Sequence, residues 1–385
     1  MSWRDCTLGE VVRFQRGHDL PDQERKPGDI PVIGSAGLTG WHNESIAKGP
    51  GISIGRSGAS IGKVTYTATD YWPHNACLYV TDFLGNSPRF VYYFLRTKDF
   101  TSLNSGAAQP SLNRNFVHIV PVRVPGVKTQ ESIVGVLSAY DDLIENSRRR
   151  IALLEESARL LYREWFVHLR FPGHEHVEII NGLPNGWRWQ PVSELATILR
   201  GKSYSSAELA ESDGQPFVNL KCIKRFGGFR LSGLKCFKGQ HKPHHLLDAG
   251  DIVIAVTDMT REAMIVAQAA RVPKAIGGGA IYSMDLVKAV PITGIESEWL
   301  YGMFRFSSFS AEVREKATGA TVLHLQPRHI ESSVARVPAA PLRAMYAEHV
   351  RDLQAQVDNL EVQIARLGEA RDLLLPRLLR GEIAV

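Results

Sequence analysis

The residues of this sequence best suited to chemistry are guanidinium, amide and imidazole groups held in short turns. Two such turns form a pair: Arg16-Gly17 followed by His18, and Arg200-Gly201 followed by Lys202, Ser203 and Tyr204. A second pair is Gln109-Pro110-Ser111-Leu112-Asn113-Arg114-Asn115 and His324-Leu325-Gln326-Pro327-Arg328-His329. Arginine bidentate to guanine and asparagine or glutamine bidentate to adenine are the ordinary pairings on base edges, each worth about 1–3 kcal/mol of discrimination. Lysine, arginine and backbone N–H groups grip phosphates. The densest basic region is Lys221, Lys224-Arg225, Arg230, Lys235, Lys238 and Lys242, with Phe226, Phe229 and Phe237 interleaved, and it fits phosphate contact. The chemistry on offer is recognition of a polyanion. A plainer reading fits the same letters: glycine turns with solvated arginines, polar loops that order the next strand or hold a domain to a helix, and a β-face over buried phenylalanines.

Catalytic patterns fail on inspection. Gly55-Arg56-Ser57-Gly58-Ala59-Ser60-Ile61-Gly62-Lys63 comes close to a phosphate loop. Ser57 stands where G-x4-G-K-[ST] needs its first glycine, and Val64 replaces the hydroxyl that would hold magnesium. ATP binding is not expected there, and Arg56 and Lys63 join the nucleic-acid candidates. His241-Lys242-Pro243-His244-His245 has no cysteine or carboxylate at ligand spacing, so no metal is assigned. There is no N/D-P-P-Y/F segment of an amino-methyltransferase and no supported Ser–His–Asp arrangement. Cys6, Cys77, Cys222 and Cys236 form no C-x-x-C pair and suit a reducing compartment. The expectation is a non-catalytic chain with no cofactor of its own. Its net charge of +5 is weak support for a polyanion partner. The start, MSWRDCTLGE, lacks the apolar core of a signal peptide, and no run of 18 apolar residues occurs. A cytoplasmic chain with no membrane partner is expected.

The elements that must position these turns come in two copies. Trp3-Arg4, Leu8, Glu10-Val11 and Arg16-Gly17 recur 184 residues on as Trp187-Arg188, Val192, Glu194-Leu195 and Arg200-Gly201. Gly106-Ala107, Leu112 and Arg123-Val124-Pro125 recur 213 residues on as Gly319-Ala320, Leu325 and Arg336-Val337-Pro338. That register continues through Asn146/Asn359, Ile151/Ile364, Leu154/Leu367 and Leu160-Leu161/Leu373-Leu374. The second copy therefore carries 29 more residues, placed in its middle. The order is globular domain (1–128), helix (129–170), Pro- and Gly-rich connector (171–186), globular domain (187–340), helix (341–385).

Both helices carry a heptad seam with 3-4 spacing. The first is Leu137, Tyr140, Ile144, Ser147, Ile151, Leu154, Ala158 and Leu161, with Thr129 as its cap and Gln130 in its first turn. The second is Val350, Leu353, Val357, Leu360, Ile364, Leu367, Arg371 and Leu374, in which Arg371 fits poorly. The two seams predict one coiled coil, and connectivity makes it antiparallel. Residues 137–165 would span roughly 43 Å at ~1.5 Å per residue, against about 34–36 Å for one turn of B-DNA. The pair would act as a ruler between two readers. Each helix packing separately on its own domain is the alternative. Apolar residues outside the seam (Leu160, Trp165, Phe166, Leu375, Leu379) predict that the chain alone is poorly soluble or binds weakly.

Several segments resemble those of the specificity subunits of type I restriction–modification systems. Leu374-Leu375-Pro376-Arg377-Leu378-Leu379-Arg380-Gly381-Glu382-Ile383 is similar to that family's C-terminal signature, and Trp165-Phe166-Val167 with Arg170-Phe171-Pro172-Gly173 to the end of its first helix. Leu183-Pro184-Asn185-Gly186-Trp187 resembles the entry to its second recognition domain. Ile33-Gly34-Ser35-Ala36-Gly37, Gly40-Trp41-His42-Asn43 and Ile54-Gly55-Arg56-Ser57-Gly58 with Gly62 and Val64 resemble its recurring internal segments. The resemblance covers essentially the whole chain. It implies an α/β (α+β) fold with two target recognition domains joined by antiparallel helices. Each domain would read one half of an interrupted double-stranded DNA site. The helices would dock two methyltransferase subunits and allow recruitment of a restriction and translocation subunit. S-adenosylmethionine, ATP and magnesium would then belong to those partners. In the second domain Ile252-Val253-Ile254-Ala255 reads as the equivalent strand, and Thr257-Asp258-Met259 replaces Arg56-Ser57-Gly58. A coiled-coil scaffold whose domains bind protein or RNA is the competing reading.

Overall fold

The structure is a computed structural model that describes residues 3–103, 111–210, 212–260, 262 and 264–385, so the candidate Gln109 lies outside the described residues. It forms two compact units, one of residues 1–143 with 367–385 and one of residues 144–366. The first unit contains β1 (Trp3–Thr7), β2 (Arg13–Arg16), β3 (Ile30–Gly34), β4 (Gly37–His42), β5 (Gly51–Gly55), β6 (Val64–Thr67), β7 (Trp72–Pro73) and β8 (Cys77–Asp82). Helices α1 (Pro88–Arg96) and α2 (Arg114–His118), strand β9 (Pro121–Pro125) and the start of the long helix α3 (Val127–Tyr162) follow. The strands make a four-stranded sheet β2-β8-β5-β6, a three-stranded sheet β4-β3-β7 and the ribbon β1-β9. Period-2 alternation sorts the side chains. Leu78 and Val80 face a core with Ile52, Ile54, Phe90 and Phe94, and Tyr79 between them packs with Ile33, Ala47 and Tyr71 on the other side. Burial of each such side chain stabilises by about 1.5–3 kcal/mol.

The second unit begins within α3, and after that helix comes the hairpin β10 (Ile179–Ile180) and β11 (Leu183–Pro184). Strands β12 (Arg188–Pro191), β13 (Ala196–Arg200), β14 (Leu209–Ala210), β15 (Gln215–Val218), β16 (Lys235–Phe237), β17 (Leu246–Leu247), β18 (Ile252–Ala255), β19 (Thr257–Asp258), β20 (Ala269–Arg271), β21 (Ala280–Tyr282) and β22 (Leu286–Pro291) come next. Helices α4 (Ser297–Phe306) and α5 (Phe309–Arg314), strand β23 (Leu323–His324), helix α6 (Pro327–Glu331), strand β24 (Val334–Val337) and the long helix α7 (Ala340–Leu379) complete the order.

The sequence repeat is a repeat of hydrogen-bond register. Arg188 lies opposite Val337 in β12-β24 as Arg4 lies opposite Val124 in β1-β9. The sheet β13-β22-β18-β20 repeats β2-β8-β5-β6, and β15 runs parallel to β21 as β3 does to β7. The surplus of the second copy is spread over several loops instead of forming one block. Only Ser35 and Ala36 join β3 to β4, whereas residues 219–234 join β15 to β16. The added strands β14 and β17 widen the smaller sheet to five.

In both units α3 and α7 lie side by side with opposite directions. In the first unit the start of α3 meets the end of α7, where Arg371 Nη1 donates to Asp141 Oδ1 at 2.6 Å. In the second unit the end of α3 meets the start of α7, where Tyr162, Trp165 and Phe166 pack around Tyr346. Every seam residue named above is buried or half-buried. The misfit Arg371 is explained by Asp141, which also accepts from the Tyr93 hydroxyl at 2.6 Å. Of the apolar residues outside the seam, Trp165 and Phe166 are buried in the second unit and Leu375 and Leu379 in the first, and only Leu160 is exposed. Intramolecular cores account for the other four.

Helix α3 starts at Val127, two residues before Thr129, and Gly126 O accepts the Gln130 N–H. Gln130 is buried, and its side chain ties the helix start to Asn86 Oδ1 (2.7 Å), Pro125 O (3.0 Å) and Ser87 N (3.1 Å). In the second copy Arg343 takes this position, bonded to Glu296 (2.9 Å), Pro338 O (2.7 Å) and Gly294 O (2.9 Å).

Charged groups gather where α3 and α7 meet the sheet of the second unit. Arg305 bonds Glu155 at 3.2 Å, and Arg271 bonds Asp358 through two contacts of 2.8 Å. Glu361 lies beside them. Burial first, then Asp358 and Glu155, push its carboxyl up to about 7, while Lys224 and Arg271 oppose the shift. An unfolded chain would ionise it near 4.5. A pKa raised in the folded state stabilises at low pH and loses that contribution as pH rises through about 7. Glu361→Gln should therefore be more stable than wild type by about 1–2 kcal/mol at pH 8 and nearly equal at pH 5, by thermal unfolding. Equal stabilities at both pH values would refute the burial of this charge.

Candidate nucleic-acid interface

Strands β2 and β5 run parallel within the first sheet, so both deliver their C-terminal residues to one end of it. Residues 15–19, Arg56, Leu78 and 111–114 line an open polar cleft there of about 650 Å³. Its floor is a backbone zipper. Gly17 N donates to Cys77 O (3.0 Å), His18 N to Pro73 O (2.8 Å) and Asn75 N to His18 O (2.9 Å). A Cβ on Gly17 would lie 2.1 Å from His74 O, so the turn requires glycine for space. Leu112 N donates to Arg56 O (2.8 Å), which brings the entry to α2 into the same cleft.

The cleft collects Arg16, His18, Arg56, Asn113 and Arg114. Arg56 reaches Asn75 O (3.3 Å) and Ser111 Oγ (3.1 Å), and its buried Nε has no partner among the described residues. Burial first, and then Arg16, disfavour the charged form of Arg56. An anion or base acceptor entering the cleft would relieve that cost. Arg16 and Arg114 are exposed and make no ion pair among the described residues. His18 Nε2 lies 3.3 Å from the Tyr79 hydroxyl, and Asn113 Oδ1 caps α2 through Asn115 N at 2.9 Å. Lys63 is not part of this cluster. It donates to Ala36 O and lines a separate hollow with Tyr66, Tyr92 and Asp141.

The second unit repeats the zipper with other side chains on it. Gly201 N donates to Leu286 O (3.3 Å), Lys202 N to Tyr282 O (2.8 Å), Met284 N to Lys202 O (2.9 Å) and Leu325 N to Val256 O (2.8 Å). A Cβ on Gly201 would lie 2.1 Å from Ser283 O. The bond to Leu325 sets Val256 at the place of Arg56, one residue earlier than the Thr257-Asp258-Met259 alignment expected from the sequence. Arg200, Gln326 and Arg328 are exposed on this end. Lys202 turns to Ser203 O (2.7 Å) and Glu208 (3.6 Å), and Tyr204 packs on Phe217 with ring centres 4.7 Å apart. Both therefore have partners within the unit.

Lys221, Lys224 and Arg225 sit on the 219–234 insertion, exposed, beside the turn that carries Phe226. Gly228 N bonds Ala269 O (2.9 Å), so this turn lies along β20, the sheet edge opposite β13 and its Arg200. The structure does not bring it to the Arg200 cluster. Sequence reasoning also missed Asp19, Asn75 and Met284 at these loop ends. No motif marks them, since only the zipper shows that they are neighbours of the paired turns. Among the described residues no three His, Cys, Asp or Glu side chains gather to hold a metal, and no helix is long and apolar enough to cross a membrane.

Known proteins share this organisation. Residues 2–156 match the family described as the type I restriction modification DNA specificity domain. The MjaIX type I restriction enzyme specificity subunit of Methanocaldococcus jannaschii is 25% identical over 314 residues, covering 77% of this chain and 69% of that protein. The HindI specificity subunit of Haemophilus influenzae is 20% identical over 366 residues, covering 77% of each chain. The crystal structure of a type I restriction–modification S subunit from M. genitalium has the same fold, with a TM-score of 0.59 at 16% identity over 98% of this chain and 96% of that one. With its duplicated strand register and antiparallel helices, the chain is similar along most of its length to the specificity subunits of type I restriction–modification systems, and residues 2–156 carry the match to their DNA specificity domain.

Proposed function

We propose that this chain reads a two-part, interrupted double-stranded DNA site for a type I restriction–modification complex. The observation that carries the reading is the repeated zipper, one backbone frame bearing two different side-chain sets. Residues 1–128 would form one target recognition domain and 187–340 the other, with helices at 129–170 and 341–385 and a connector at 171–186. Arg16, His18, Arg56, Asn113 and Arg114 would meet the first half-site. Arg200, Gln326 and Arg328 would meet the second, with Lys202 and Tyr204 supporting them. Lys221, Lys224 and Arg225 would contribute phosphate contacts, and Lys63 a peripheral one. The antiparallel helices set the gap and offer docking faces to two methyltransferase subunits, with a restriction and translocation subunit joining where one is made. Catalysis, S-adenosylmethionine, ATP and magnesium then belong to those subunits, and the complex works in the cytoplasm.

The test is co-expression with the methyltransferase subunit in a methylation-free host, followed by sequencing for modified adenines. The expected result is one bipartite motif with a fixed gap, and exchange of residues 1–128 should change one half alone. Binding of the complex should fall steeply with salt, since each neutralised phosphate contributes about −0.9 to the slope of log K against log salt. An assembled complex that modifies no site would reject the reading in favour of a scaffold for protein or RNA.

A further inference from the structure

The two zippers differ in kind at matched positions. Asn75 N donates to His18 O in the first unit, and Met284 N donates to Lys202 O in the second. Leu112 N donates to Arg56 O in the first, and Leu325 N to Val256 O in the second. Two polar side chains are thus replaced by two apolar ones. Met284 is 55% exposed, and Met259 on the adjoining loop is 69% exposed. The loops are bonded together, since Val256 N donates to Asp285 O at 2.8 Å. Asp258, next to Met259, is itself tightly bonded. The buried Asp258 carboxylate accepts from Thr260 N (2.7 Å), Thr260 Oγ1 (2.6 Å), Ile265 N (2.6 Å) and Val266 N (2.9 Å).

A large apolar side chain held in water beside a tightly bonded backbone has a cost that a partner surface removes. Here the surroundings are cationic: Arg200 and Arg328 are exposed at the same sheet end, with Lys202 half-buried beside Met284. An apolar protein surface does not call for that rim, whereas a polyanion with apolar spots does. The major groove of DNA provides such spots only as the C5-methyl groups of thymine. RNA lacks this methyl, and its major groove is too narrow for side chains. Against a G·C edge a thioether would leave the guanine acceptors and cytosine donor unpaired, which is where discrimination comes from.

Resting on the DNA-reading function above, we infer that the second unit reads thymine methyl groups through Met284, with Met259 as a second contact, while the first unit reads base acceptors through arginine. The mapped second half-site must then contain an A·T pair. Wild-type complex is tested on duplexes in which single thymines of that half are replaced by deoxyuridine, which removes the methyl alone and needs no protein variant. Roughly a three- to tenfold loss of affinity is expected at one or two positions. Met284→Ala and Met284→Asn complexes should bind thymine and uracil duplexes equally at one of those positions and should relax the methylated motif there only. A second half made of G·C pairs alone, a flat uracil scan with normal site-specific binding, or unchanged uracil sensitivity in both variants overturns the inference. Absence of any specific methylation by the wild-type complex would instead sink the DNA-reading function itself.

Discussion

Replacing Asp358 by alanine should destabilise the second unit by about 3–5 kcal/mol, a loss expected when one partner of a buried ion pair is removed. Asp358 is 7% exposed and makes both 2.8 Å bonds to Arg271. Arg271 closes the edge strand β20, and Asp358 lies on α7, so the pair fixes the long helix to the sheet. Without Asp358 the half-buried guanidinium loses both of these bonds. The pair itself is worth much less than that loss. Attraction between buried charges is largely offset by their desolvation. Arg271→Met combined with Asp358→Leu should thus recover most of the stability that Asp358→Ala loses. Denaturant unfolding of the three variants, with hydrogen exchange at residues 269–272 as a local probe, separates the cases. An Asp358→Ala chain within 1 kcal/mol of wild type would mean that the contact is a surface pair of ordinary weakness.

The frame of this fold was readable because it rests on repetition and period. Matching letters at two constant offsets, 184 and then 213 residues, revealed the two copies, strict 3-4 spacing gave the seam, and connectivity gave the opposed run of the helices. Contents of the frame were less readable, for physical reasons that differ by residue. Arg56 lost its counterpart because β5 and β18 are apolar runs, and such runs slide against one another in an alignment until a hydrogen bond, here Leu325 N to Val256 O, fixes the register. Lys202 and Tyr204 look like readers in the sequence, yet Glu208 and Phe217 occupy them. Gln130 and Arg343 stand at matched positions of the 213-residue register and share one structural task, bracing a helix start against the preceding turn, but their unlike chemistry hides that task from the letters. The basic stretch at 221–225 misled in another way. Its charges are exposed as expected, but they ride on an insertion, and insertion sites are set by loops instead of by the repeated letters.

The shared turns give the sharpest test of what the frame does. Gly17→Ala and Gly201→Ala should each cost about 3 kcal/mol at the loop end, the upper part of the range for forcing a methyl into occupied space. Neither glycine has a positive φ, so the reason is not backbone freedom. In each case the added Cβ would lie 2.1 Å from a carbonyl oxygen, that of His74 or of Ser283, and a backbone atom in a zipper cannot rotate aside as a flexible side chain can. The strand end must then separate from its neighbour, and the bonds from His18 N to Pro73 O or from Lys202 N to Tyr282 O break with it. If that loop end carries recognition, a 3 kcal/mol loss corresponds to roughly 150-fold weaker site-specific binding. Gly135→Ala is the control, since nothing lies within 4 Å of a Cβ there and alanine favours the α3 helix. Binding of each variant complex to a duplex carrying the mapped site should show two equal losses and no loss for the control. The equality is the point. The side chains on the two turns differ, so a common loss can arise only from the common backbone. A loss in one variant alone would mean that the two copies share ancestry of sequence but no longer share a way of holding their readers.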